Sequence, residues 1–144
     1  LSPGDGNYVH EDSCVEFFMQ REAGQAYINF EFNAAGVCYA AHHQSPSEAT
    51  LLSAEEFASI ERWATHLGEH GLEQTGTHAW EVTIALPWTT MGYQEGVLPS
   101  SLRANLYKCG DKTPHPHFLS WAPIEEKQPA FHRPQFFGEL ILQA

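Results

Sequence analysis

The sequence predicts an all-β domain: an antiparallel β-sandwich with jelly-roll or immunoglobulin-like layers and one short inserted helix. Three observations point there. Short runs of alternating apolar and polar residues recur along the chain, and period-two alternation is the pattern of a half-buried strand. Clusters of Gly, Pro, Asn and Ser punctuate these runs at the close spacing usual in all-β domains. A helix start pattern stands out at Ser53. The length of 144 residues suits one domain and is enough to bury a core, so residues 1–144 are read as a single unit.

The first dozen residues, rich in Gly, Pro, Asp and His, form a loop or arm. Residues 14–21 follow as a strand, with Val15, Phe17 and Met19 on one face and Glu16, Phe18 and Gln20 on the other. Residues 25–32 alternate more cleanly, setting Ile28, Phe30 and Phe32 against Tyr27, Asn29 and Glu31. Asn33-Ala34-Ala35-Gly36 supplies a tight turn, with Gly36 free to take positive φ, and residues 37–43 return as the partner strand.

Residues 45–50 read as a polar loop. Ser53 with Glu56 three residues on makes a capping box, and Phe57, Ile60, Trp63, Ala64 and Leu67 fall at helical spacing behind it. Residues 68–76 form a loop. A strand over 78–86 carries Trp80, Val82, Ile84 and Leu86 on one face, which places Trp63 and Trp80 in the core. Residues 103–109 alternate Arg103, Asn105 and Tyr107 against Ala104, Leu106 and Lys108. Two further strands flank an aromatic, Pro- and His-rich loop after His117, with residues 136–142 closing the sandwich and residues 131–134 as its anchor.

Composition excludes several functions. A formal net charge of −11, with only seven Lys and Arg, argues against nucleic acid and anionic membrane surfaces as partners. No run approaches the roughly 18 apolar residues that span a bilayer. The chain starts at Leu1 without a signal peptide, which suggests a piece of a longer protein. Cys14, Cys38 and Cys109 are too few for a zinc ribbon or a dense disulfide framework and sit in predicted strands, where free Cys behaves as a small buried hydrophobe. One disulfide stays open, because spacing alone does not decide it.

Three blocks carry a family resemblance over nearly the whole chain from Val9. They are residues 12–18 (Asp-Ser-Cys-Val-Glu-Phe-Phe), residues 27–33 (Tyr-Ile-Asn-Phe-Glu-Phe-Asn), and residues 103–111 running into the Ser-Trp-Ala-Pro and Phe-His-Arg-Pro tail. Together they resemble the family 9-like carbohydrate-binding domains of Bacteroidetes, relatives of the xylanase-associated family 9 modules and of the DOMON sandwiches. The resemblance implies a β-sandwich and a non-catalytic module that binds oligo- or polysaccharide within a secreted, periplasmic or cell-surface protein. It departs from the family in one respect. Members usually have further strands before the Asp-Ser-Cys block, so a second copy of the chain or a retained N-terminal fragment is expected to complete the sandwich.

Sugar recognition needs polar groups for hydroxyls and an aromatic face for the C–H side of the ring. Glu16, Asn29, Glu31, Glu81, Arg103 and Asn105 lie opposite the apolar stripes of their strands. The expected binding set is Trp121 and Trp88 as stacking platforms, with Arg103, Asn105, Asn29 and Glu16 bonding hydroxyls. The plainer reading of the polar group is a solvated cross-strand ion network.

No catalytic residues are assigned. Glu16 and Glu31 could serve glycoside hydrolysis only at carboxylate separations of ~5 or ~6.5–9.5 Å. There is no Gly-x-Ser-x-Gly elbow. A haem role would want an axial Met–His pair, and Met19 sits on the apolar face of its strand. No cofactor is expected. His42 and His43 are adjacent and so point to opposite faces of a strand, and spacing places no third ligand for a transition metal. Calcium could be met only by loop oxygens such as those of Asp5, Asp12 and Asp111, outside any recognisable calcium-loop pattern.

Overall fold

A computed structural model describes residues 4–6, 8–24, 26–66 and 76–143. Leu67 and residues 68–75 of the predicted 68–76 loop lie outside the described residues. A short 3-10 turn, Val9–Glu11, leads into β1 (Cys14–Gln20), β2 (Tyr27–Asn33) and β3 (Cys38–Ser45). Then come β4 (Glu48–Leu51), α1 (Ala54–Ser59), β5 (Glu61–Ala64), β6 (Val82–Ala85), β7 (Ser101–Cys109) and β8 (Phe118–Ser120). A 3-10 turn, Pro134–Phe136, precedes β9 (Gly138–Ile141).

The main sheet is antiparallel throughout, in the order β4-β3-β2-β1-β7-β8, with β9 also paired to β7. The nine residues of β7 are long enough to serve two short partners on one edge. β9 takes Ser101 to Ala104 and β8 takes Tyr107 to Cys109. Between them the ladder is completed by Trp121 N–H donating to the Leu106 carbonyl at 2.9 Å.

The turn between β2 and β3 forms as its residues dictate. Gly36 takes φ 73°, and the Asn33 side-chain oxygen accepts from the amides of Ala35 and Val37 at 3.1 and 3.0 Å. The capping box is present too. Ser53 Oγ accepts from the Glu56 amide at 3.2 Å, and Glu56 accepts from the Ser53 amide at 2.8 Å.

Two elements differ from the sequence expectation. The helix ends at Ser59, and Glu61–Ala64 is a strand paired with β6. Phe57 and Ile60 are buried where helical spacing puts them, but Trp63 is 52 % exposed. The spacing of Phe57, Ile60 and Ala64 fits a helix face and a helix-to-strand switch equally well, and pairing with Thr83 decides it. Trp80 lies before β6 rather than within a strand, half-buried, its indole N–H donating to Ser13 Oγ at 3.0 Å. Residues 45–50 are not a loop: β3 runs to Ser45 and turns directly into β4, a fully exposed edge strand.

One face of the sheet carries Phe30, Phe32, Met19, Ile28, Cys38 and Ala40 into the main core. Phe57, Ile60 and Leu52 around α1, Val82 and Ile84 of β6, and Met91 form the layer opposite. Truncating a fully buried ring here, such as Phe30, costs about 3–5 kcal/mol. The other face is buried as well, because residues 121–137 cross it and set Ile124, Phe131 and Phe137 against Phe18, Tyr27 and Tyr107. That cover positions the site.

Candidate functional site

The strand alternation turns Glu16 and Phe18 of β1 to the face away from the main core. Register then lines up Tyr107, Glu16, Glu31 and Tyr39 as one row across β7, β1, β2 and β3. Asn105, Phe18, Asn29 and Ala41 form the next row, and Tyr27 sits opposite His43 in the one beyond. The sequence predicts this face open to ligand or solvent. The structure buries most of it: Glu16 and Glu31 are 5 % exposed, Asn29 1 % and Asn105 0 %.

The cover is incomplete at one end. A pocket of about 820 Å³ opens there between the sheet, the N-terminal arm and residues 129–133. Tyr8, Tyr39, Phe118 and Phe131 supply its rings, and His10, His43, His132 and Arg133 supply nitrogen donors. Glu16, Glu31 and Asp111 are its acids. Tyr8 is 75 % exposed and Phe118 39 %, so both rings are accessible in its lining.

The floor is held by a chain of polar contacts. His132 Nδ1 lies 2.8 Å from the Tyr27 hydroxyl, and the Tyr27 ring stacks on His43 with centroids 4.7 Å apart. His43 Nε2 lies 3.0 Å from Asn29 Oδ1, and Asn29 Nδ2 donates to Glu31 Oε1 at 2.9 Å. An amide oxygen only accepts, so Nε2 of His43 carries the proton in this arrangement. The second oxygen of Glu31 is buried without a hydrogen bond. Nδ1 of His10 stands 3.5 Å from it.

Burial and repulsion set the charges. Burial, then repulsion from Glu31 and contact with Cys109, push the Glu16 carboxyl up to about 11, so it is protonated at neutral pH. Burial, with repulsion from neighbouring His43, lowers His132 to about 4 and keeps it neutral. Burial also lowers His43. The Glu31 carboxyl facing Nδ1 of His10 raises His10 above its ordinary value. The floor therefore presents neutral hydrogen-bonding groups beside Glu31 and His10.

The structure brings together only part of the set read from sequence. Glu16 lines the pocket, and Asn29 lies beneath it as the link between His43 and Glu31. Asn105 is on the same face but fully used. Its Nδ2 donates to the Ala122 carbonyl at 3.0 Å, and its Oδ1 accepts from the Ala122 and Leu106 amides at 2.8 and 3.0 Å. Arg103 Nη2 reaches the carbonyls of Pro134 and Gln135, each at 3.4 Å, and its Nε is buried without a partner. Trp121 is 51 % exposed, outside the pocket, with one ring edge close over Gly138; a Cβ added there would meet the ring at 3.0 Å. Trp88 lies on the other layer, packed on the main core and edge-to-face with Tyr93.

Glu81 is exposed beyond the main sheet, its amide bonded to Thr65 Oγ1. His42 and His43 do point apart: His42 Nε2 is 3.7 Å from Glu56, on the helix side. The three candidate calcium oxygens do not converge among the described residues. Asp5 is tied to Arg62 and the Cys38 amide, Asp12 to Ser13 and Asn33, and Asp111 is exposed.

Sequence reading missed Tyr8, His10 and Tyr39 as pocket residues. Tyr8 and His10 lie in an arm without periodicity, and Tyr39 alternates correctly but gains its role only from its register opposite Glu31. An arm rich in polar and aromatic residues, placed before the first strand, was the available signal.

Residues 2–142 match carbohydrate-binding family 9. A crystal structure from Bacteroides uniformis, of a protein to which carbohydrate binding has been provisionally assigned, is similar to this chain with a TM-score of 0.90 and 38 % identity. The similarity covers 97 % of this chain and 65 % of that one, so the chain spans about two thirds of its neighbour's length. No curated protein matches the chain.

Proposed function

The chain belongs to carbohydrate-binding family 9, and on that premise we propose that it is a non-catalytic module holding a neutral oligo- or polysaccharide in the pocket between β1–β3 and residues 129–133. The observation that carries this reading is the pairing of exposed rings with a polar floor. Tyr8 and Phe118 offer faces for the C–H side of a sugar, next to His10, Arg133, Glu31 and the protonated Glu16 for its hydroxyls. The reading moves the stacking role from Trp121 and Trp88 to Tyr8 and Phe118, because the polar groups beside Trp121 are spent on backbone. A net charge of −11 and three acids in the lining disfavour anionic sugars.

The pocket is open to solvent, which competes for its polar groups, so binding is weak, roughly micromolar to millimolar. Binding needs no calcium, and the parent protein is secreted or displayed at the cell surface. Among the described residues no helix is long and apolar enough to cross a membrane. Calorimetric titration with a panel of neutral oligosaccharides, with and without added calcium, tests the reading. Saturable binding of at least one neutral glycan, unchanged by calcium, is expected; a panel blank at millimolar ligand contradicts it.

A second reading rests on one observation: Glu16 and Glu31 are direct cross-strand partners in the pocket, which brings two carboxyl groups together as glycoside hydrolysis requires. Against it, a carboxyl near 11 is too weak an acid to protonate a leaving group efficiently at neutral pH. Release of reducing ends from any bound glycan, lost in Glu16→Gln, would favour this second reading.

A further inference from the structure

Cys14 opens β1 and Cys109 ends β7, and the two are paired in the antiparallel register. Their side chains therefore leave the same face of the sheet as immediate neighbours. Glu16, two residues along β1, projects from that face beside them. One ligand atom from each of Cys14, Glu16 and Cys109 lies within 4.8 Å of the other two. All three are buried, at 0 %, 5 % and 1 % exposure, and Cys109 Sγ is 3.0 Å from Glu16 Oε1. Glu31 faces Glu16 across the β1–β2 ladder, and its buried Oε2 has no hydrogen bond.

From this geometry we propose that Cys14, Cys109 and Glu16 form a buried binding site for a thiophilic divalent cation of the zinc class. Two thiolates and a carboxylate are a donor set that zinc-like ions accept in tetrahedral geometry, and hard cations such as calcium do not seek sulfur. The fourth position falls to a water from the pocket.

Desolvating two thiols and two carboxyls in one place is unfavourable unless something compensates. Without an ion, protons on the two thiols and the carboxyl compensate. The ion replaces them. One divalent cation plus two thiols and one carboxylic acid gives a complex of net charge −1 and three released protons, with no change of oxidation state. Glu16 lines the pocket, which is the route for the ion in and the protons out. Cys38 is buried on the opposite face, in the main core, and takes no part. The site shares Glu16 with the pocket, but its geometry comes from the β1–β7 register, whatever the pocket binds.

The test is titration of the reduced, metal-free full chain with Co²⁺ and with Cd²⁺, read by thiolate-to-metal charge-transfer absorption and by proton release. The site predicts saturation at one ion per chain, with absorption of two thiolates, and the same result for Cys38→Ala. Glu16→Gln is expected to weaken the ion by about tenfold or more, and Cys14→Ser with Cys109→Ser to abolish the band. Absence of charge transfer in the folded, reduced wild type overturns the proposal, as does a band that survives the double serine variant. So does a Cys14–Cys109 disulfide in the chain isolated from its native compartment, found by mass spectrometry. The wild-type and Cys38→Ala titrations decide the question even if the serine variants fail to fold.

Discussion

Asn105 and Glu31 project from the same face of the same sheet, and both are buried, yet their surroundings use them in opposite ways. Around Asn105, residues 121 and 122 come down as an irregular strand in the gap between β8 and β9. Ala122 accepts from Asn105 Nδ2 and donates to Asn105 Oδ1, and the Leu106 amide adds a third hydrogen bond to Oδ1. Around Glu31 the cover stops short: one carboxyl oxygen is bonded to Asn29, the other has no hydrogen bond and faces only His10 at 3.5 Å, and a pocket opens above. A buried polar residue facing a satisfied backbone is a clamp, whereas one facing a gap is available to a ligand. The comparison also explains why an exposed tryptophan is the weaker candidate here. The polar groups beside Trp121 are bonded to backbone, while Tyr8 shares its pocket with His10, Arg133, Glu16 and Glu31.

The largest effect expected from this contrast is on stability at the clamped end. Asn105→Ala leaves two amides and a carbonyl unsatisfied in a buried place and should cost roughly 3 kcal/mol in urea unfolding. Glycan affinity of the folded fraction should stay unchanged. A loss under ~1 kcal/mol would mean that water replaces the clamp easily, and the distinction between the two ends would fail.

At the open end, stability should move the other way. An acid raised from 4.5 to about 11 keeps its proton on folding, so its stabilising contribution is full below pH 4.5 and is lost as pH rises toward 11. Glu16→Gln should therefore stabilise the metal-free protein at pH 7 by roughly 1–3 kcal/mol, with no gain at pH 4. Thermal unfolding at the two pH values checks this.

His132 has the opposite sign. Its folded value, lowered from 6.5 to about 4, means the unfolded chain binds the proton first, and stability falls as pH drops through that window. In the Glu16→Gln background, where the opposing carboxyl is removed, acidification from pH 7 to 4 should cost about 2 kcal/mol. His132→Asn, which preserves an acceptor for Tyr27, should remove most of that slope. A slope that persists would place the titrating group elsewhere.

Much of the sheet was legible because alternation is local. The strand read over residues 25–32 formed as Tyr27–Asn33, and the Asn33–Gly36 turn and the Ser53 capping box formed where side-chain chemistry placed them. The failures came where two local readings fit the same residues. Phe57, Ile60 and Ala64 satisfy a helix face, and only pairing with β6 turns residues 61–64 into a strand and leaves Trp63 in solvent. The polar face was identified correctly as a face, but not its fate. Whether Glu31 or Asn105 meets solvent, ligand or backbone depends on where residues 121–137 lie, and that segment carries little periodicity of its own. The approach of Cys14 to Cys109 was hidden for the same reason, since strand register across distant segments is not written in either segment alone.

The central claim is that the pocket end of the face, not the Trp121 end, holds the sugar. Tyr8 and Trp121 are both exposed rings, 75 % and 51 % accessible, so each can be truncated with little harm to the fold. Calorimetric titration of Tyr8→Ala and Trp121→Ala with the tightest-binding neutral oligosaccharide compares them directly. The pocket predicts a loss of about tenfold, one stacking interaction's worth, for Tyr8→Ala and a change within about twofold for Trp121→Ala. The reverse order, with affinity lost at Trp121 and kept at Tyr8, would contradict it.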